Sequence, residues 1–210
     1  MSLLLHVEPL WVSPYVFAVF VTLREKQLEF ESVSLDYKSE GTLAPAYLAK
    51  TITGRVPTLV HDGFGLGEST AIIEYLDETF PEPSVLPASK KERARCRQLM
   101  SWLRSDDTAP LRAERSTHTM FYERNRTPLT EAGARSAKKL IEVAGRLIRP
   151  GQPNLFEAWS IVDSELAFAL QRLIANGDPV PSALRSWAET QWARPTVQAF
   201  IDIARPKYSP

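Results

Sequence analysis

Cysteine is almost absent from this chain: Cys96 is its only one in 210 residues. An internal disulfide is therefore excluded, and a lone thiol fits a reducing compartment. Cys96 lies in a charged helical pattern away from any histidine, so it reads as structural and not as a nucleophile. Histidine is scarce too, and His6, His61 and His118 stand at no ligand spacing, so no metal site is expected. Neither sign of charge is in excess, with 25 Lys plus Arg against 25 Asp plus Glu. The electrostatic footprint of a nucleic-acid binder or an anionic-membrane binder is missing. The one basic stretch, Lys90 to Arg97, is interrupted by Glu92, Ala94 and Cys96 and reads as a solvated helix face. No apolar run is long enough to cross a bilayer, and no basic-then-apolar leader precedes a small-residue cleavage site. A soluble, cytoplasmic protein is expected. There is no G-x-S-x-G elbow and no P-loop. Gly63, Gly65 and Gly67 resemble part of a dinucleotide loop, but Glu68 stands where the third glycine belongs.

What is present divides the chain in two. Leu3 to Val7 suits a buried strand. Ser13-Pro14 marks a helix start, because Ser is a favoured N-cap and Pro is favoured at the first helical position. That helix runs to about Lys26, with Val16, Phe17, Phe20, Val21 and Leu23 on a broad apolar face. Phe30 to Leu35 reads as a second strand, parallel to the first because a helix separates them. A helical stretch from Leu43 to Lys50 follows. Two strands then flank the hairpin signal Asp62-Gly63, and a helix ends near Phe80. Pro81, Pro83 and Pro87 cannot continue a helix or strand. Beyond Ser89 only helical patterns remain: Lys91 to Ser116, Thr130 to Ile148, Ser160 to Asn176, Ser182 to Trp192 and Pro195 to Ala204. The expected organisation is an α/β domain over residues 1–80, a proline-rich linker over 81–88 and an all-helical domain over 89–210.

The best-marked helix of the second half begins at Ser160-Ile161-Val162-Asp163, a capping box with Asp in place of Glu. Ser164 offers Trp159 no apolar partner, so a hydrophobic staple is not expected there. Val162, Leu166, Leu170 and Leu173 recur at helical spacing, and Ala167, Phe168 and Ala169 fill much of the remaining circumference. Burial on most sides follows. Asn176-Gly177 with Pro179 beyond closes the helix.

Two short segments carry the functional signal. In Gly54-Arg55-Val56-Pro57, the residue before proline is pushed into the extended region, so Val56 holds its N–H and C=O sideways. A cis Val56-Pro57 bond leaves both groups open to an extended ligand, as to a neighbouring strand. At Glu68-Ser69 a helix onset offers N–H groups to an anion, and the Glu68 carboxylate accepts from an ammonium. Read singly, a proline at a strand head and a serine at a helix start are ordinary punctuation. Their order within one short window suggests a surface for a small peptide with an amino acid at one end.

These residues, in order, resemble the cytosolic glutathione transferases, on the bacterial, serine-type or unclassified side of that family. The likeness runs over nearly the whole chain. It rests on Ser13-Pro14-Tyr15, Gly54-Arg55-Val56-Pro57, Glu68-Ser69-Thr70-Ala71-Ile72 with Tyr75-Leu76, Ser160-Ile161-Val162-Asp163, and Arg194-Pro195-Thr196-Val197. The resemblance implies a thioredoxin-like N-terminal domain, a C-terminal helical bundle and a homodimer. It implies glutathione as co-substrate, with no metal. Val56 would pair with the cysteinyl backbone, Glu68 and Ser69 would hold the γ-glutamyl amino and carboxylate groups, and Arg55 would stand near the glycine carboxylate. Ser13 falls where serine-type members place the hydroxyl that hydrogen-bonds the sulfur, with Trp11, Tyr15 or a backbone N–H as alternative donors. Where many members carry Asn-Pro this chain has Thr51-Ile52, so the approach to the Gly54 turn is braced differently.

A thiol of pKa about 8.5 is mostly protonated near neutrality, and only the thiolate attacks. A hydroxyl donor and the positive end of the Ser13 to Lys26 helix would lower that pKa. The same thiolate serves conjugation to an electrophile and reduction of a hydroperoxide, and the sequence does not separate the two. Arg104, Arg112, Arg115 and Phe121 are candidates to line the electrophile's site, against their ordinary roles as surface charge and packing. A glutathione-fold binding or stress-related interaction protein is the non-enzymatic alternative. A glutathione-dependent isomerase ranks last, because the serine-cysteine run of such enzymes is absent around Ser13.

Overall fold

A computed structural model describes residues 1–35 and 44–208 of the chain. Its contacts fall into two compact units, Met1–Val85 together with Ala199–Pro210, and Leu86–Gln198.

The first unit is built on a four-stranded sheet, β1 (Leu3–Val7), β2 (Glu31–Ser34), β3 (Thr58–His61) and β4 (Phe64–Gly67), in the order β2-β1-β3-β4. As the intervening helix requires, β1 and β2 are parallel, whereas β1 with β3 and β3 with β4 are antiparallel. Asp62 at φ 47° and Gly63 at φ 91° turn the β3–β4 hairpin with both central residues left-handed, the conformation an Asp-Gly pair favours. Helix α1 (Pro14–Glu25) buries every residue from Val16 to Leu23, more than the one broad face its sequence suggests. Phe17, Phe20 and Trp11 pack edge-on against Phe200, at centroid separations of 5.3, 5.5 and 6.0 Å.

Helix α2 (Pro45–Leu48) is short, and the expected start of that helix at Leu43 lies outside the described residues. Helix α3 (Ser69–Thr79) closes the α/β part and packs on α1. Beneath it Lys26 Nζ donates to Asp77 Oδ1 at 3.0 Å and to the Pro83 carbonyl at 2.8 Å. Asp77 also receives the Val85 N–H at 2.8 Å, so the chain leaving α3 is tied back to it.

In the second unit α8 (Ile161–Asn176) is central, in contact with α4 (Lys90–Leu103), α6 (His118–Phe121), α7 (Glu131–Leu147) and α9 (Ser182–Trp192). Its capping box is present: Asp163 Oδ2 accepts the Ser160 N–H at 2.9 Å and the Ser160 hydroxyl at 3.0 Å. Gly177 ends it at φ 84° in the left-handed conformation that suits glycine. Cys96 is buried, 3.8 Å from the Met100 sulfur, as a structural side chain. Helix α10 (Pro195–Ile201) is the last helix among the described residues.

The continuous helix expected from Lys91 to Ser116 is instead three pieces: α4, a 3₁₀ turn at Asp106–Thr108 and α5 (Ala109–Glu114). The break has a local cause. The Ser105 hydroxyl donates to the Trp102 carbonyl at 2.7 Å and the Thr108 hydroxyl to the Leu103 carbonyl at 3.0 Å. Side-chain hydroxyls thus compete with the helical ladder, and Pro110 brings no N–H to rejoin it.

Candidate functional site

Strand register decides which residues meet. Across β1 and β3, His6 stands opposite Thr58, and across β3 and β4, Thr58 stands opposite Gly67. The end of β1, the start of β3 and the end of β4 therefore leave the sheet along one edge. The first leads to Ser13, the second comes from Arg55-Val56-Pro57, and the third leads to Glu68-Ser69. Three strands at about 4.8 Å spacing span about 10 Å, close to the reach of an extended tripeptide.

The bend ahead of β3 is held from inside. Val56-Pro57 is cis, and Pro57 is buried while Val56 is half-buried. Tyr47 on α2 reaches the Arg55 carbonyl at 2.7 Å and Thr58 Oγ1 at 2.8 Å, and the Thr58 hydroxyl reaches the same carbonyl at 2.9 Å. Two hydroxyl protons serve this triangle of oxygens, enough to satisfy the Arg55 carbonyl whichever way they point. Burial pushes the Tyr47 phenol above its ordinary pKa, partly offset by the Thr58 hydrogen bond, which keeps it a donor. These bonds brace the bend that follows the Gly54 turn. Tyr47 and Thr58 were not singled out from sequence, since only the fold brings α2 beneath the bend. Among the described residues no backbone hydrogen bond engages the Val56 N–H or C=O. The Arg55 side chain is exposed and enters no ion pair among those residues.

At the third segment Glu68 sits at φ 66°, ψ 112°, a conformation that costs a non-glycine residue about 1–3 kcal/mol. Its carboxylate is exposed and does not cap the helix behind it. Ser69 is buried as the first residue of α3. An anion placed there meets the first-turn N–H groups of an eleven-residue helix.

Ser13 caps α1, its oxygen accepting the N–H groups of Tyr15 and Val16, each at 3.3 Å. The cap uses oxygen lone pairs and leaves the hydroxyl proton for an outside acceptor. The Ser13 N–H is spent, donating to Glu8 Oε1 at 2.6 Å, so it is withdrawn from the alternative donors. Glu8 drew no attention as sequence, because a carboxylate just past a strand carries no pattern.

The arginines expected to line a second substrate's site are occupied within the helical unit. Arg104 binds Glu165 through two nitrogens, at 3.1 and 2.5 Å. Arg112 donates to the Arg104 and Ser105 carbonyls, each at 3.3 Å. Arg115, 2% exposed, forks onto Asp178 at 2.6 and 2.8 Å and reaches the Thr127 carbonyl at 2.9 Å. Phe121 packs on Phe168 at 6.3 Å. Their bonds are structural, the plainer of the two roles open to them.

Two family profiles match the chain. "Glutathione S-transferase, N-terminal domain" covers residues 10–84, and "Glutathione S-transferase, C-terminal domain" covers residues 89–205. Among solved structures, a glutathione transferase homolog from Burkholderia, crystallised with bound glutathione, is 41% identical over 96% of this chain and 97% of its own, with a TM-score of 0.79. Among curated proteins, a probable glutathione S-transferase of Nicotiana tabacum is 34% identical over 41% of this chain and 38% of its own length. A maleylacetoacetate isomerase of Dictyostelium discoideum is 35% identical over 46% and 45%. The chain thus spans less than half the length of these curated relatives.

Proposed function

Because the chain belongs to the glutathione S-transferase family, we propose that it binds glutathione along the sheet edge of Val56, Glu68 and Ser69 and activates the thiol at Ser13. The observation that carries this reading is the row His6, Thr58, Gly67, which delivers all three segments to one edge with the Val56 main chain open. The cysteinyl backbone pairs with Val56 as an added strand would. Glu68 takes the γ-glutamyl ammonium, while Ser69 and the onset of α3 take the carboxylate at that end. Arg55 meets the glycine carboxylate. That the Burkholderia relative was crystallised with bound glutathione supports glutathione as the ligand.

The Ser13 hydroxyl then donates to the sulfur, at the positive end of α1. Each pKa unit of lowering corresponds to about 1.4 kcal/mol in favour of the thiolate. In conjugation the sulfur lone pair forms the new C–S bond and the leaving group departs with its electron pair. In hydroperoxide reduction the thiolate takes the terminal oxygen, the alkoxide leaves and is protonated, and a second glutathione closes the disulfide with loss of water. The proposal extends to a homodimer working in the cytoplasm, as the family resemblance implies.

Calorimetry with millimolar glutathione tests binding, and turnover of an aromatic halide against cumene hydroperoxide separates the two chemistries. Ser13→Ala should raise the pKa of the bound thiol and lower kcat about tenfold or more. Absence of any heat of binding would remove the enzyme reading in favour of a glutathione-fold interaction protein.

A further inference from the structure

The loop that presents Ser13 is tied down on both of its main-chain faces. Glu8, 7% exposed at the end of β1, turns Oε1 onto the N–H groups of Val12 and, at 2.6 Å, of Ser13. From the other direction Arg205 Nε donates to the Trp11 carbonyl at 3.1 Å. The remaining guanidinium nitrogens are fixed in turn on the carbonyls of Phe200, Ile201 and Ile203, at 3.0, 2.7 and 3.0 Å. Between these anchors Trp11 holds φ at 50° and donates its N–H to the Glu8 carbonyl at 3.3 Å. A loop of this length, left to itself, would sample many backbone states, each ordered residue costing about 1–2 kcal/mol. Here a buried carboxyl and a guanidinium select one.

The choice bears on chemistry. If Glu8 did not take the Ser13 N–H, that N–H and the hydroxyl would be rival donors at the start of α1. We infer that Glu8 and Arg205 are positioning residues that fix the Trp11–Ser13 loop so that the Ser13 hydroxyl, and not its backbone N–H, meets the glutathione sulfur. The inference rests on the glutathione reading above and deepens it. The brace does not require a charge. Glu8 Oε2 is buried without a hydrogen-bond partner among the described residues, so the work is done through Oε1 alone. Burial pushes the Glu8 carboxyl above its ordinary pKa, against the pull of the N–H groups around it and of Arg205. A neutral side chain of the same length keeps one oxygen with two lone pairs for the two N–H groups.

The test uses the full chain with Glu8→Met, Glu8→Gln and Arg205→Met. Thiolate absorbance against pH gives the pKa of bound glutathione, steady-state kinetics separate kcat from KM, and calorimetry gives the glutathione Kd. Glu8→Met should raise the bound thiol pKa by about one unit and lower kcat about tenfold, with Kd within about threefold. Glu8→Gln should rescue most of both. Arg205→Met should raise the bound thiol pKa by about half a unit and lower kcat by about three- to fivefold, again with little change in Kd. The inference is overturned if Glu8→Met keeps the wild-type thiol pKa, or if Glu8→Gln is as impaired as Glu8→Met. Should Glu8→Met fail to fold, an unchanged thiol pKa in Arg205→Met overturns it. A Ser13→Ala variant with the wild-type thiol pKa would overturn it too, whereas wild-type protein that binds no glutathione would instead bring down the glutathione reading itself.

Discussion

The two units handle their polar groups differently. In Leu86–Gln198 the buried charges close on one another: Arg104 on Glu165, Arg115 on Asp178, and Asp163 on the N–H groups of Leu155 and Ser160 and the Ser160 hydroxyl. The buried polar atoms left over there, on Trp159, Ser164, Trp187 and Gln191, are neutral side-chain atoms. The first unit likewise leaves neutral atoms of His6, Thr22 and Thr51 over, but among the described residues it also leaves the Glu8 Oε2 atom without a partner and the Val56 main chain without a backbone hydrogen bond, and Glu68 holds a strained backbone with its carboxylate exposed. Glu8, Val56 and Glu68 belong to the segments leaving one sheet edge. Away from that edge the first unit saturates its charges as well, as Lys26 and Asp77 show. Closed networks hold a fold together, whereas the open Val56 main chain and the exposed Glu68 carboxylate at one edge represent binding capacity that the fold itself has not consumed.

Substitutions in the two places should therefore separate stability from binding. The largest effect is expected at Arg115, 2% exposed. Arg115→Met leaves Asp178 and the Thr127 carbonyl without their donor and should destabilise the protein by about 3 kcal/mol in denaturant titration. Its glutathione Kd should stay at the wild-type value. A marked loss of affinity in folded Arg115→Met would blur the division. The converse is Glu68→Gly. Removing the carboxylate should weaken glutathione binding about thirtyfold, or about 2 kcal/mol. A glycine accepts φ 66° without strain, so folding stability should hold or rise by about 1 kcal/mol. A site residue whose removal stabilises the chain would place the strain at the point of use.

The same contrast sets how far the sequence could be read. The succession of strands and helices along the first unit, the parallel β1–β2 pair, the hairpin at Asp62-Gly63 and the cap at Ser160 are all marked in the sequence, and they appear as expected. The segments Ser13, Arg55-Val56 and Glu68-Ser69 were legible because each is a backbone device with a short signature. Tyr47, Thr58, Glu8 and Arg205 were not, because each acts on a residue it meets only through the fold. Arg205 lies 194 positions from the carbonyl it holds. The break in the long helix after Leu103 was missed for a related reason, since Ser105 and Thr108 are compatible with a helix until their hydroxyls choose backbone carbonyls. Tyr47→Phe tests the support beneath the bend. It deletes one hydroxyl from the triangle and should cost about 1–1.5 kcal/mol of stability, with a few-fold rise in the KM for glutathione and little change in kcat.

The smallest effect, in acid, should come from the helical unit alone. Asp163 is fully buried, and burial pushes its carboxyl up to about 6 although it accepts from the Leu155 and Ser160 N–H groups and the Ser160 hydroxyl and feels Arg194. In the unfolded chain an aspartate titrates near 3.9. Between those values the folded state binds the extra proton, so this group's contribution to stability is fully present below about 3.9 and is lost as the pH rises through about 6. Lowering the pH from 7 to 5 should therefore stabilise the protein through Asp163 by about 1 kcal/mol. Asp163→Asn cannot titrate, so the difference in unfolding free energy between wild type and variant should shift by that amount across the interval. A constant difference from pH 7 to pH 5 would mean that the capping hydrogen bonds outweigh desolvation and keep Asp163 ionised inside the core. The cap of the helical unit would then depend on a charge that the Glu8 brace of the Ser13 loop does without.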